Sequence, residues 1–321
     1  NFQEHHHYPF TGVFFLCPYS WDPSSEAPQT VRLAVGGTEF GTSESILIHN
    51  RPTTKEPSDR SLALCVRPFY NGVPKVHDLV HFVAYYSTHG VRRFTFYDYD
   101  SRTEIQDYLR SLYEHLPVDL ISWVSPFAKS SWSMCQNAFT QDCLYRHLHA
   151  TEYVLVVDLD EFVFPFPKKN KPTRLVDLLP SFEASKSCFM FRNVFWIRGA
   201  SSDHEPFIFK SLNRSKKVWP AMLRSKYVAR VKDVVEGGIH NCIKFLDPLG
   251  RNRHSTVAGA QMFHYKQKRT EQYTKDHRML MWQKPVMSSP IIRTYLSPKL
   301  SPSVKTPSAV DALWRFVRFS W

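Results

Sequence analysis

The chain has 321 residues, 43% of them hydrophobic, enough for the core of one large α/β domain or of a medium domain with an appendage. Its 41 Lys+Arg against 29 Asp+Glu give a net charge of +12, which points to anionic partners: a nucleotide, nucleic acid, an acidic polysaccharide or a membrane surface. No run of 18 apolar residues is present, so no segment is expected to span a bilayer, and no zinc-finger or RNA-binding signature accompanies the short basic clusters, so nucleic acid is not the expected partner.

Residues 1–60 are rich in turn formers, with short β-like runs at Thr11–Leu16, Val31–Val35 and Ser45–Ile48. They predict a β-rich appendage or the remnant of an accessory β domain, followed by a linker at Arg51–Arg60 that carries Pro52 and Pro57. His5, His6 and His7 read as a tag remnant or a native run rather than as a metal site.

From Ser61 the pattern changes. Leu62–Val66 predicts a buried strand, and Val76, Leu79, Val80, Val83 and Tyr86 recur at helical spacing up to Gly90. A strand over Val91–Asp98, a helix over Ser101–His115, a strand over Val118–Val124 and a helix over Met134–His149 follow, then the apolar run of Tyr153–Val157. That βαβαβαβ alternation predicts an α/β fold over residues 61–285, a Rossmann-like, mostly parallel sheet flanked by helices. The remainder, residues 286–321, is expected to wrap the surface as a Pro/Ser-rich tail and to end in an amphipathic helix over Val310–Phe319.

In such sheets ligands bind outside the carboxyl ends of the strands, where Arg67, Asp98 and the Asp158/Asp160 pair are expected. Alternation along a strand places Asp158 and Asp160 on one side and Leu159 on the other. Carboxylates at that spacing suit Mg²⁺ or Mn²⁺, with positions left open for phosphates. An acidic pair of this kind also reads as a solvated turn or a helix N-cap; the apolar strand that runs into it favours the metal-diphosphate reading. Neither a G-x-G-x-x-G nor a Walker loop is present, which argues against a dinucleotide dehydrogenase or a P-loop NTPase. The six cysteines form no C-x-x-C pair, so thiolate zinc is not expected, while disulfides are permitted. Asn213-Arg214-Ser215 is an N-glycosylation sequon, and both features lean towards a secretory lumen.

The stretches H-D-L-V-H-F-V-A-Y-Y-S-T-H-G-V (77–91), F-Y-D-Y-D-S (96–101), Q-N-A-F-T-Q-D-C-L (136–144), D-L-D-E-F (158–162), K-Y-V (226–228) and F-H-Y (263–265), together with Asn71, resemble glycosyltransferase family 92. The resemblance covers about residues 61–285 and includes plant β-1,4-galactan synthases and animal galactosyltransferases. It implies a GT-A fold, a UDP-sugar donor (commonly UDP-galactose), Mn²⁺ or Mg²⁺, inversion at the anomeric carbon and a glycan acceptor such as β-1,4-galactan. It also implies residence in the Golgi lumen, with membrane attachment only through an N-terminal anchor outside this chain; a homodimer remains open. Where the family commonly shows Asn-Glu after the first strand, this chain has Asn71-Gly72, so the role of that Glu is not carried over.

On that footing Asp160, Asp158 and His264 are the expected metal ligands, with Asp158 also facing the ribose or a metal-bound water. Arg67, Asn71, Asp98, Asp142 and Lys226 are expected at the nucleotide, with Arg224 towards the diphosphate. Asp98 equally reads as a turn or helix cap, and Asp142 as an i,i+4 partner of Arg146. Inverting transfer needs a base, for which Glu205 comes first, then Asp203 and Glu236. Trp196 and Trp219 are candidates for acceptor stacking, with core packing as the plainer reading, and Gly237-Gly238 before His240 predicts a tight loop near the site. The alternatives are a transferase using a different UDP-sugar and a non-catalytic glycan- or nucleic-acid-binding protein.

Overall fold

The computed structural model describes residues 4, 6–13, 28–32, 45–48, 61–71, 74–113, 115–247, 253–267 and 272–297. The expected linker over 51–60, Gly72 and the amphipathic helix over 310–319 lie outside the described residues. Before Ser61, β1 (Thr30–Val31) and β2 (Ile46–Leu47) pair antiparallel as an exposed two-stranded ribbon. Residues 11–13 form no strand, and Phe10 makes a single bridge to Ser131.

The alternating units then appear as read: β3 (Leu62–Val66), α1 (Val76–Thr88), β4 (Arg93–Asp98), α2 (Thr103–Leu112), β5 (Val118–Ser122), α3 (Gln136–Arg146) and β6 (Tyr153–Val157). After them come β7 (Glu161–Pro165), β8 (Cys188–Phe191), β9 (Asn193–Ile197), α4 (Phe207–Lys210), β10 (Asn213–Trp219), β11 (Lys226–Arg230), β12 (Val234–Gly237) and β13 (Cys242–Phe245). The series closes with β14 (His254–Thr256), β15 (Ala260–Lys266), β16 (Tyr273–Lys275), α5 (Gln283–Met287) and α6 (Pro290–Leu296).

The main sheet runs β14-β8-β11-β6-β3-β4-β5. β3 is parallel to β4 and β6, and β4 to β5, while β11 enters antiparallel between β6 and β8. This is the mostly parallel, GT-A type sheet expected from the sequence. Its strands read as continuous apolar runs because both faces are covered. Leu62, Leu64, Val66, Leu155 and Val157 pack into one core with α1 and α2, whereas Ala63, Cys65, Val154 and Val156 pack on the other face with Phe139, Cys143 and Leu144 of α3. Cys65 and Cys143 are joined by a disulfide, so β3 and α3 are also tied covalently.

A second sheet, β16-β10-β9-β15-β7, packs into the same core as α1. Tyr85 and Tyr86 of α1 donate hydrogen bonds to the carbonyls of Val163 (2.7 Å) and Glu161 (2.8 Å) in β7, fixing that strand against the helix. β6 and β7 therefore belong to different sheets although only residues 158–160 separate them. The expectation that Asp158 and Asp160 alternate along one strand is corrected here, because they sit in the corner where the chain leaves one sheet and enters the other.

The expected surface tail from residue 286 is also corrected over its first part. Ser289 accepts a hydrogen bond from the Ile292 amide and Pro290 takes the first helical position, so α6 starts there and buries Ile291 and Ile292 against the core of α1.

Candidate functional site

The order of the main sheet reverses between β3 and β6: α-crossovers from β3 lead one way to β4 and β5, while β6 lies on its other side. A crevice opens at the carboxyl ends of two such strands, and residues following them face it together. Arg67 follows β3, and Asp158 follows β6.

The corner holds three acids in distinct surroundings. Asp158 lies 3.3 Å from Lys226 Nζ and 3.8 Å from Arg67 Nε. Burial opposes its ionisation, but Lys226 and Arg67 hold its carboxyl below the usual range. Glu161, 1% exposed, accepts a hydrogen bond from the Asp158 amide at 2.7 Å and stands 3.5 Å from Lys226 Nζ; burial pushes its carboxyl up in spite of that lysine. Asp160 accepts from Lys266 Nζ at 2.7 Å and stands 3.5 Å from His264 Nε2. Against burial, His264 and Lys266 hold its carboxyl well below the usual carboxylate range.

Lys226, expected at the nucleotide, is 1% exposed and is a buried cation between two carboxylates. Lys266 and Glu161 are site residues that the sequence reading missed. A signal was present: His264 and Lys266 are two apart on β15, so a strand's period of two puts both on the Asp160 side.

A cavity of about 410 Å³ adjoins the corner. Arg67, Tyr70, Asn71, Lys75, Arg102 and Arg198 line it, together with Asp160 and Asp78. Asn71 adopts the left-handed conformation (φ 57°), which turns the chain after β3 around the cavity mouth. Asp78, in the first turn of α1, is held by Arg198 Nη2 at 2.7 Å. Four cations against two carboxylates give the cavity lining an excess of positive charge.

The residues present fit a divalent cation in part. Asp160 Oδ1 and both ring nitrogens of His264 are buried without a hydrogen-bond partner among the described residues. Asp158, Asp160 and His264 do not, however, bring three ligand atoms within 4.8 Å of one another, because Arg67 and Lys226 draw Asp158 to themselves. Of the three ligands expected from the sequence, Asp160 and His264 are the two that the corner holds side by side, 3.5 Å apart. That suits a hard cation that takes one or two protein ligands and completes its shell with phosphate oxygens and water.

Other expected residues fall elsewhere. Both oxygens of Asp98 are taken up locally, by the Ser101 amide and Gln106 Nε2, each at 2.8 Å, so the turn reading describes it. Asp142 forms the i,i+4 bridge to Arg146 and accepts from Tyr97 Oη at 2.6 Å. Glu205 pairs with Lys210, half-exposed, and Glu236 is buried on β12 beside Lys244 Nζ at 2.7 Å. Asp203 accepts from Tyr295 Oη at 3.0 Å and stands 3.6 Å from His77, which in turn stands 3.7 Å from the cavity residue Asp78. Trp196 is 1% exposed and packs on Phe263 and Tyr265, which corrects the stacking expectation to core packing. Trp219 lies under Lys217 and Arg224. The Gly237-Gly238 loop packs on α3 through Gln141, while its neighbour His240 binds Ser225, the residue before Lys226.

Fold and site together define a Rossmann-like α/β protein whose ligand site is built on acids and cations instead of a glycine-rich loop. The model of glycosyltransferase family 92 matches residues 60–306, and the chain belongs to that family. No curated protein gives a significant match. Among solved structures, S. aureus TarS 1–349 in complex with UDP-GlcNAc is similar at 12% identity and a TM-score of 0.34, over 79% of this chain and 78% of that one. Glucosyl-3-phosphoglycerate synthase from Mycobacterium tuberculosis, in complex with Mn²⁺, UDP and glucosyl-3-phosphoglycerate, is similar at 11% and 0.33, over 66% and 74%.

Proposed function

We propose that this family 92 member is a metal-dependent, inverting glycosyltransferase that moves galactose from UDP-galactose, in β linkage, onto a glycan such as β-1,4-galactan, in the Golgi lumen. The observation that carries the metal-diphosphate site is Asp160: one oxygen is held by Lys266, the other is buried without a partner among the described residues, and the residue lies on the wall of a cavity lined by four cations. A divalent cation held by Asp160 and His264 would stabilise the negative charge that grows on the diphosphate as the sugar departs. Arg67, Lys75, Arg102 and Arg198 bind and orient the diphosphate, and Asn71 and Tyr70 wall the pocket. Galactose as the donor sugar, the galactan acceptor and the lumenal address rest on the family resemblance; the Cys65–Cys143 disulfide supports an oxidising compartment.

For the base, Asp203 replaces Glu205 as first choice, because His77 and Asp78 connect it to the cavity while Glu205 is paired with Lys210. Asp203→Asn is expected to lower kcat by about 10²-fold or more, with Glu205→Gln and Glu236→Gln within a few-fold of the parent. A near-normal kcat for Asp203→Asn removes that assignment.

Calorimetric titration of UDP with and without Mn²⁺, on the parent and on Asp160→Ala, tests the site itself. Binding that requires both the cation and Asp160 is expected; binding indifferent to both overturns the reading. UDP release from a panel of UDP-sugars then tests the donor, and a preference for UDP-glucose or UDP-GlcNAc over UDP-galactose overturns the galactosyl assignment.

A further inference from the structure

We infer that Cys188 and Cys242 form a second disulfide, which staples the β12–β13 hairpin to β8 of the main sheet. Cys188 opens β8 and Cys242 opens β13. The Cys242 amide donates to Cys188 Sγ at 3.0 Å, and the two thiols are within hydrogen-bond reach of each other. Both side chains are sealed from solvent, at 0% and 1% exposure. His254, the register partner of Cys188 in β14, contacts the Cys188 sulfur and places Nε2 2.7 Å from the Cys242 carbonyl.

A metal site does not account for this trio. Among the described residues the one Cys/His/Asp/Glu group close enough to share an ion is Cys65, Cys143 and His147, and two of those are already bridged. Two thiols within hydrogen-bond reach, in a chain that carries a buried disulfide elsewhere, are placed for oxidation. In the closed fold burial alone would raise the Cys188 thiol, but Cys242 and His254 bring it down to about 7, while burial and Cys188 push Cys242 well up.

The step balances with a small-molecule disulfide such as glutathione disulfide as oxidant. The Cys188 thiolate attacks one sulfur and releases one thiol; Cys242 then loses its proton, attacks the Cys188 sulfur of the mixed disulfide and releases the second. Two electrons and two protons pass to two small thiols. Since both sulfurs are buried in the finished fold, the exchange takes place before β13 closes onto β8.

The staple bears on the site through position. Between β12 and Cys242 the hairpin turn carries His240, and Ser225 Oγ donates to the His240 carbonyl at 2.7 Å; Ser225 immediately precedes Lys226, the buried partner of Asp158. Fixing Cys242 fixes that turn against the start of β11.

The test is peptide mapping of the full chain. The protein is refolded from denaturant in glutathione disulfide until Cys65–Cys143 is fully bridged, alkylated with iodoacetamide in denaturant without reduction, digested and analysed by mass spectrometry. A cross-linked species joining the Cys188 and Cys242 peptides is expected, together with a Tm lowered by several degrees in Cys188→Ser. Carbamidomethyl on both Cys188 and Cys242 while Cys65–Cys143 is intact overturns the inference, as does either cysteine linked to a different one.

Discussion

At the scale of single residues, the decisive group is Lys226. It is a long cation with 2% of its side chain exposed, and its charge is offset by Asp158 and Glu161 within 3.5 Å. Removing one partner of a buried ionic cluster leaves the others uncompensated and costs about 3–5 kcal/mol. Lys226→Met is therefore expected to lose stability on that order in urea titration; a loss below about 1 kcal/mol would show that water already reaches the acids. Lys266 differs, since 36% of its side chain is exposed. Lys266→Met is expected to cost less than about 1 kcal/mol in stability while changing UDP–Mn²⁺ affinity, because Asp160 loses the donor 2.7 Å from its carboxylate. The D-L-D-E-F run announced the acids, yet nothing local announced that Asp158 would belong to Lys226, 68 residues further on.

At the scale of elements, helix ends were readable where the terminating residue has a special conformation. Gly90 follows α1 at φ +92°, and an added Cβ would lie 2.5 Å from Val176 Cγ2. Gly90→Ala combines left-handed strain with that overlap and is expected to cost roughly 1–3 kcal/mol, measured as a lower urea midpoint with unchanged slope; an unchanged midpoint would mean that the loop around Val176 yields freely. The start of α6 was equally present as Ser289-Pro290, but the Pro/Ser content of the tail obscured it. The corner at 158–160 was misread for a different reason. Alternation is a property of one strand in one sheet, and the transfer from β6 to β7 depends on β15 and on the tyrosines of α1, which lie far away in sequence.

At the scale of the whole molecule, the chain closes its core over neutral imidazoles. Burial pushes His89, at the end of α1, and His147, at the end of α3, down to about 3. In the unfolded chain both titrate near 6.5. Between those values the unfolded state binds protons that the folded state refuses, so stability is complete above about pH 6.5 and falls as pH drops below it. The slope is about 1.4 kcal/mol per pH unit for each histidine. Urea midpoints are expected to fall steadily from pH 6.5 to 5, a window above that in which the depressed Asp158 and Asp160 regain protons. Flat midpoints across that window would show that these histidines are reached by solvent.

What the sequence by itself determined is the alternation of strands and helices from residue 61, the apolar strands covered on both faces, and the acid-rich exit of β6. These follow from hydrophobic period and turn chemistry, which act over a few residues. Only the tertiary structure decided which acids acquire cations, that Trp196 is core, and that Cys65 bonds Cys143. Those outcomes turn on contacts between residues tens of positions apart, whose distances are set by how the two sheets and α1 pack, and no local pattern encodes that packing.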